Sequence, residues 1–208
     1  MNLEKNILAI GAHPDDIELG CGGTVSYLSS IGYEVYCVFI TRGEKGGNPV
    51  LREKESQKAC SILGAKEVFF GDFKDTEVSN SRDLVMFLEK LAIEKKASMA
   101  LIPNEKDTHQ DHRNLSLSCL PAFRKTPTIL SYESPSTTSG FCPQVFFDIG
   151  EHMETKRLAL EEHITQKDRD YLEWEAMMNL ASYRGNQASS KYAEAFEPVR
   201  IQADYLFK

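Results

Sequence analysis

From Asn6 to Tyr132 the chain alternates short apolar runs with longer amphipathic stretches. The runs at 6–11, 34–41, 66–70 and 98–103 are brief and rich in Val, Ile, Phe and Tyr, a pattern that predicts strands. Two more strand candidates follow at 128–132 and 144–149. Helices are predicted at 22–31, 51–63, 81–96 and 111–123. Gly32 and Gly64 suit helix stops, and Asn80 or Ser81 suits a cap. Such alternation predicts an α/β fold: one Rossmann-like domain over 1–208, with a mainly parallel sheet and helices on both faces. Residues 133–143, rich in Pro, Ser and Thr, read as a loop, and 150–183 as one or two helices. The tail from Tyr192 to Ile201 mixes apolar and acidic residues and is expected to pack back on the core. No repeat, low-complexity tract or linker interrupts the pattern.

Two polar clusters break the apolar rhythm where chemistry is expected. Gly11-Ala12-His13-Pro14-Asp15-Asp16-Ile17-Glu18 follows the first strand, and Asp107-Thr108-His109-Gln110-Asp111-His112 follows the fourth. In a doubly wound sheet of order 3-2-1-4-5 these two strands are neighbours. Ligands bind in the crevice outside their carboxyl ends. The topology therefore predicts one divided site. Imidazole nitrogen with carboxylate oxygen suits a zinc-type metal, and a catalytic zinc takes about three protein ligands and keeps one position open. His13 and Asp16 would supply two ligands and one histidine of the second cluster the third. Asp15 would be free to take a proton, and the remaining histidine to stabilise a tetrahedral oxyanion. Asp111 is expected to hydrogen-bond that histidine, fix its tautomer and favour its charged form.

Gly20-Cys21-Gly22-Gly23 raises a competing reading, a dinucleotide-binding turn. That turn should follow the strand directly and be matched by an acidic residue ending the second strand. Here the polar stretch His13 to Gly20 intervenes, and the second strand runs into Thr41-Arg42-Gly43. The glycines are read instead as letting the first helix approach the metal loop closely. The loop Arg42 to Asn48 reads as a flexible rim or a plain solvated loop.

Charge narrows the partners. The net charge is −7 and no basic face is evident, so nucleic acid is not expected. Five scattered cysteines without paired spacing predict reduced, interior thiols, with Cys21 the one beside the proposed site. Met1 to Asn6 lacks the features of a signal peptide, and no run approaches the roughly 18 apolar residues of a membrane span. A cytoplasmic protein is expected. His152 and His163 lie among charges outside any ligand spacing and read as surface residues.

At these residues the sequence resembles the LmbE/PIG-L-like zinc-dependent N-deacetylases. Ala12-His13-Pro14-Asp15-Asp16-x-Glu18 is similar to the family signature, and His109-x-Asp111-His112 to its second motif. Gly22-Gly23-Thr24, Thr41-Arg42-Gly43-Glu44, Arg52-x-x-Glu55 and Tyr192-Ala193-Glu194-Ala195-Phe196 resemble further family patterns. The resemblance implies hydrolysis of an N-acyl group, often an acetamide on an amino sugar, and a Zn2+ cofactor, or Fe2+ in the cell. It implies His13, Asp16 and His112 as metal ligands and Asp15 as general base. His109 would assist the oxyanion or leaving group, Asp111 would orient it, and Arg52 would contact substrate. A small N-acetylated amino sugar is the expected partner, and a homo-oligomer the expected assembly. Family members acting on thiol precursors often carry arginine where this chain has Thr108, which weakens the case for an acidic aglycone. Two alternatives stand beside this reading: a zinc hydrolase of another amide or ester, and a non-catalytic metal- or sugar-binding module.

Overall fold

A computed structural model describes residues 5–203; Met1 to Glu4 of the N-terminal stretch discussed above, and Asp204 to Lys208, lie outside them. Four strand–helix units come first: β1 (Asn6–Gly11), α1 (Asp16–Ser30), β2 (Glu34–Phe39), α2 (Pro49–Ile62), β3 (Glu67–Phe70), α3 (Arg82–Glu94), β4 (Met99–Pro103) and α4 (Gln110–Ala122). After them come β5 (Thr128–Tyr132), β6 (Val145–Asp148), α5 (Met153–Glu161), α6 (Trp174–Gln187) and β7 (Ala193–Arg200). The sheet order is β3-β2-β1-β4-β5-β7-β6. The first five strands are parallel, and β7 runs antiparallel to both β5 and β6.

The alternation of side chains along β1 builds two cores. Leu8 and Ile10 pack with Leu84 and Leu88 of α3 and Leu115 of α4. Ile7 and Ala9 point the other way, into a cluster with Val25 of α1, Cys60 of α2 and Ala159 of α5. A strand covered on both faces reads as continuous apolar sequence, which is why the period-2 signal is weak in β1. The pairing Ile7 to Val35 on one side and Ile7 to Met99 on the other places β1 beside β4 at the switch point.

Two expectations are met and sharpened, and a third changes. The tail is a strand, β7, inserted between β5 and β6. Residues 150–183 form two helices separated by a strap, 162–173, with short 3-10 turns at Ile164–Gln166 and Asp170–Leu172. The first helix begins at Asp16, inside the polar signature, and is kinked at Cys21 (φ −146°, ψ 20°). The kink frees backbone groups that would otherwise pair within the helix. Lys156 Nζ donates to Leu19 O at 2.8 Å, and the Glu194 carboxylate accepts from Gly23 N at 3.0 Å, Thr24 N at 2.7 Å and Thr24 Oγ1 at 2.7 Å. A Cβ on Gly20 would sit 2.2 Å from the Tyr132 ring, whose hydroxyl donates to Ile10 O. This glycine thus lets the helix approach β5, not the His13–Glu18 loop.

Candidate active site

Pro14 turns the chain sharply after β1, and Asp15 takes a left-handed backbone (φ 107°) at the N-cap of α1. Asp16 closes the turn, its Oδ2 accepting from His13 N at 2.8 Å. On the opposite wall, Asp107 Oδ1 accepts from His109 N at 2.7 Å, and His109 caps α4. These two turns face each other across the β1–β4 crevice. His13, Asp15, Asp16, Arg52, His109 and His112 all line one cavity of about 420 Å3, within the range of small-ligand sites. Among the residues of 133–143, Pro135 and Ser136 reach it.

Each of the two buried imidazoles that line the cavity has carboxylates at both ring nitrogens. His13 Nε2 lies 3.0 Å from Asp111 Oδ2 and 3.2 Å from Asp75 Oδ1, while its Nδ1 lies 3.5 Å from Asp16 Oδ2. His112 Nδ1 lies 3.0 Å from Asp107 Oδ2, and its Nε2 3.2 Å from Asp16 Oδ1. Burial opposes charge on His13, yet bonds to Asp111, Asp16 and Asp75 raise its pKa well above the ordinary value. His112 is likewise raised, against burial, to about 10 by Asp16 and Asp107. Against burial, His112 and His13 together hold Asp16 well below the usual carboxylate range. This concentration of carboxylate around imidazole favours positive charge at its centre.

That charge fits a metal ion. His112 Nε2 is buried with Asp16 Oδ1 at 3.2 Å but no hydrogen-bond partner among the described residues, and Asp111 Oδ1 is orphaned too. Nitrogens of His13, His109 and His112 lie within 4.8 Å of one another, as do ligand atoms of His13, Asp75 and Asp111. Asp111 stands behind His13 and Asp107 behind His112, the usual way in which a carboxylate fixes the orientation of a metal-binding imidazole.

Two expectations about His109 are corrected. The carboxylate of Asp111 bonds His13 Nε2 and the Thr76 amide, the latter at 2.7 Å, and not His109. The reason is local: His109 turns its Nδ1 back to accept from the Asp111 backbone N–H at 3.2 Å, while the Asp111 side chain points inward from the first turn of α4. The His109 pKa is lowered, not raised, by burial and by the positive charge of His13 and His112. Because its Nδ1 accepts from a backbone N–H, the His109 ring proton lies on Nε2.

Arg52 is buried, and its guanidinium is directed at Asp15. It donates to Pro14 O at 2.7 Å, Gly43 O at 2.8 Å and Asp15 Oδ2 at 3.2 Å. His163 is a further correction: it is 1% exposed, and its Nε2 bonds Glu18 Oε1 at 3.0 Å. The charges flanking it in sequence point outward while the strap folds it inward. Reasoning from sequence also missed Asp75 and Tyr171, and gave Asp107, though it opens the second cluster, no role of its own. Asp75 carried a usable signal, since it sits in the loop after β3, at the same end of the sheet as the other two clusters. Four of the five cysteines are buried, as expected, while Cys142 is exposed. Cys21 is fully buried and does not line the cavity, and burial, then the Glu194 charge, raises its thiol pKa.

Fold and cavity together define an α/β protein with a His–Asp cluster at the switch point of its sheet. The chain belongs to the PIG-L family, described as GlcNAc-PI de-N-acetylase, which it matches over residues 8–123, from β1 through α4. It is 38% identical to the uncharacterized deacetylase YaiS of Escherichia coli over 170 residues, 78% of this chain and 92% of that protein. It is 29% identical to the diacetylchitobiose deacetylase of Thermococcus kodakarensis, covering 94% of this chain and 83% of that one. The solved N,N'-diacetylchitobiose deacetylase from Pyrococcus horikoshii, complexed with an inhibitor, superposes with a TM-score of 0.84 at 26% identity, over 97% of this chain and 85% of that one. No helix among the described residues is long and apolar enough to cross a membrane.

Proposed function

We propose that the protein is a metal-dependent hydrolase that removes the N-acetyl group of a small amino-sugar derivative, releasing acetate and a free amine. The observation that carries this reading is Asp15, a cavity-lining carboxylate beside a cluster already furnished with acidic and imidazole ligands. Binding a metal does not require it; moving a proton does. The deacetylase names of the relatives support the bond and the substrate class.

His13, Asp16 and His112 would hold the ion, zinc or ferrous iron. When bound, it supplies a Lewis acid that polarises the acyl oxygen and acidifies water. Asp15 takes the proton of the attacking water and passes it to the leaving amine. His109, as a neutral ring, donates its Nε2–H to the oxygen that becomes negative in the tetrahedral transition state. Asp111 and Asp107 keep the two ligand rings oriented.

The test is acetate release from N-acetylglucosamine, diacetylchitobiose and an N-acetylglucosaminyl malate conjugate, assayed with metal-loaded protein. Release from at least one is expected; none from any N-acetylated sugar sinks the reading. His112→Ala is expected to lose most of the bound metal in elemental analysis, whereas an unchanged content would remove His112 from the ligand set. For His109, a neutral donor predicts that His109→Gln stays within about tenfold of the parent rate. His109→Ala should lose roughly 10²–10³, the usual cost of one oxyanion donor. Equal losses in the two variants would mean that the ring must be charged.

A further inference from the structure

The strap 162–173 has no part in the reading above, yet it is tied to the site's walls at three points. His163 bonds Glu18 of the signature at 3.0 Å. Thr165 donates to Glu55 of α2 through its backbone N at 3.0 Å and its Oγ1 at 2.6 Å. Gln166 Nε2 donates to Gly46 O at 3.1 Å. These anchors deliver Tyr171, whose hydroxyl lies 3.2 Å from Asp15 Oδ2 and 3.4 Å from Gln166 Oε1.

The two oxygens of Asp15 are consequently not equivalent. Oδ2 receives Tyr171 from one side and Arg52 Nη2, also at 3.2 Å, from the other. Oδ1 makes no hydrogen bond among the described residues, and Asp15 borders the cavity. A carboxylate rotates in a broad torsional well unless its oxygens are held. The donors come from separate elements, the strap and α2, so together they over-determine the group. The left-handed backbone of Asp15, uncommon for a residue with a side chain, is held by the same surroundings.

We propose that Tyr171 is a positioning residue: with Arg52 it fixes Oδ2 of Asp15 and so reserves Oδ1 for the proton of the attacking water. Glu18, which contacts neither the cavity nor the cluster, acts through His163 to hold the strap that carries Tyr171. The inference rests on the reading of Asp15 as the proton acceptor. Its energetic basis is preorganisation, because a misplaced reacting group costs up to about a hundredfold in rate.

Tyr171→Phe keeps the ring and removes the hydroxyl. In the metal-loaded protein kcat is expected to fall about tenfold, within that range. KM should stay within roughly twofold, as for an interaction that acts on turnover and not on substrate binding. Melting temperature and metal content should not change. A crystal structure of the variant should show the Asp15 carboxylate rotated or in two orientations, against one in the parent. An unchanged kcat, a rise in KM with kcat preserved, or a carboxylate that keeps its orientation in Tyr171→Phe overturns the proposal. If the parent protein releases no acetate from any N-acetylated sugar, the deacetylase reading falls, and the two crystal structures still decide whether Tyr171 orients Asp15.

Discussion

Asp15→Asn is expected to keep its fold and its metal and to lose roughly 10²–10⁴ in turnover, the usual contribution of a general base. The substitution is a fair test because everything but the proton chemistry can be retained. Asparagine tolerates the left-handed backbone at this position better than most residues. Its amide oxygen can take the place of Oδ2 and accept from Arg52 and Tyr171. The amide nitrogen then faces the cavity and cannot accept a proton. The pH dependence follows from the same surroundings. Burial, and after it the negative charge of Asp16, raise the Asp15 pKa, and Arg52 opposes them; the balance stands at about 6. The acceptor must be ionised, so kcat/KM of the parent should fall tenfold per pH unit below about 6 and level off above it. In Asp15→Asn the residual rate should lack that acid limb. Near-parental turnover in the variant, or an acid limb that survives at the same midpoint, would move the proton acceptor elsewhere.

The first four strands, their helices and both polar clusters were legible because their signals are local. An apolar run bounded by glycine, or a His-Pro-Asp-Asp turn, needs no knowledge of the rest of the chain. The join between the clusters was legible through topology, since β1 and β4 become neighbours in any sheet of this order. What stayed hidden depends on long-range partners. Glu194 and Pro198 argue against a strand at 193–200, and the strand forms because Glu194 meets Lys156 and Phe196 enters the core. His163 looks like a surface residue until the strap folds it onto Glu18. Asp111 was assigned to the wrong ring because spacing along α4 cannot tell which way a side chain in the first turn points. Asp107 stands beside the second motif, but its bond to His112 appears only once the loop 133–143 closes over it, through Ser134 and Thr137.

Glu194→Ala is expected to be the costliest single change remote from the cavity. Lys156 and Glu194 are each about 5% exposed, 2.6 Å apart, and lie against the kink in α1. Removing one partner of a buried ion pair typically costs about 3–5 kcal/mol, because the other charge remains buried. The two partners are not equal here. Lys156→Met leaves a carboxylate that still accepts from Gly23 N, Thr24 N and Thr24 Oγ1. Glu194→Ala orphans those three donors as well and leaves the ammonium with Leu19 O alone. It should therefore fall at the upper end of that range, near 5 kcal/mol, with Lys156→Met at or below the lower end, about 3 kcal/mol. For a chain of this size each kcal/mol lowers the melting temperature by about 2–4 °C, so about 10–20 °C is expected for Glu194→Ala. Glu194→Gln should be intermediate, because one amide oxygen can still accept while the NH2 opposes a backbone donor. Because the kink aims the first turn of α1, and with it Asp16, at the crevice, Glu194→Ala should also weaken metal retention below the melting transition. Urea titrations of the three variants with metal analysis of the folded fractions would check this; a loss below about 1 kcal/mol in Glu194→Ala, the worth of an ordinary hydrogen bond, would mean that water satisfies the kink and the pair is dispensable.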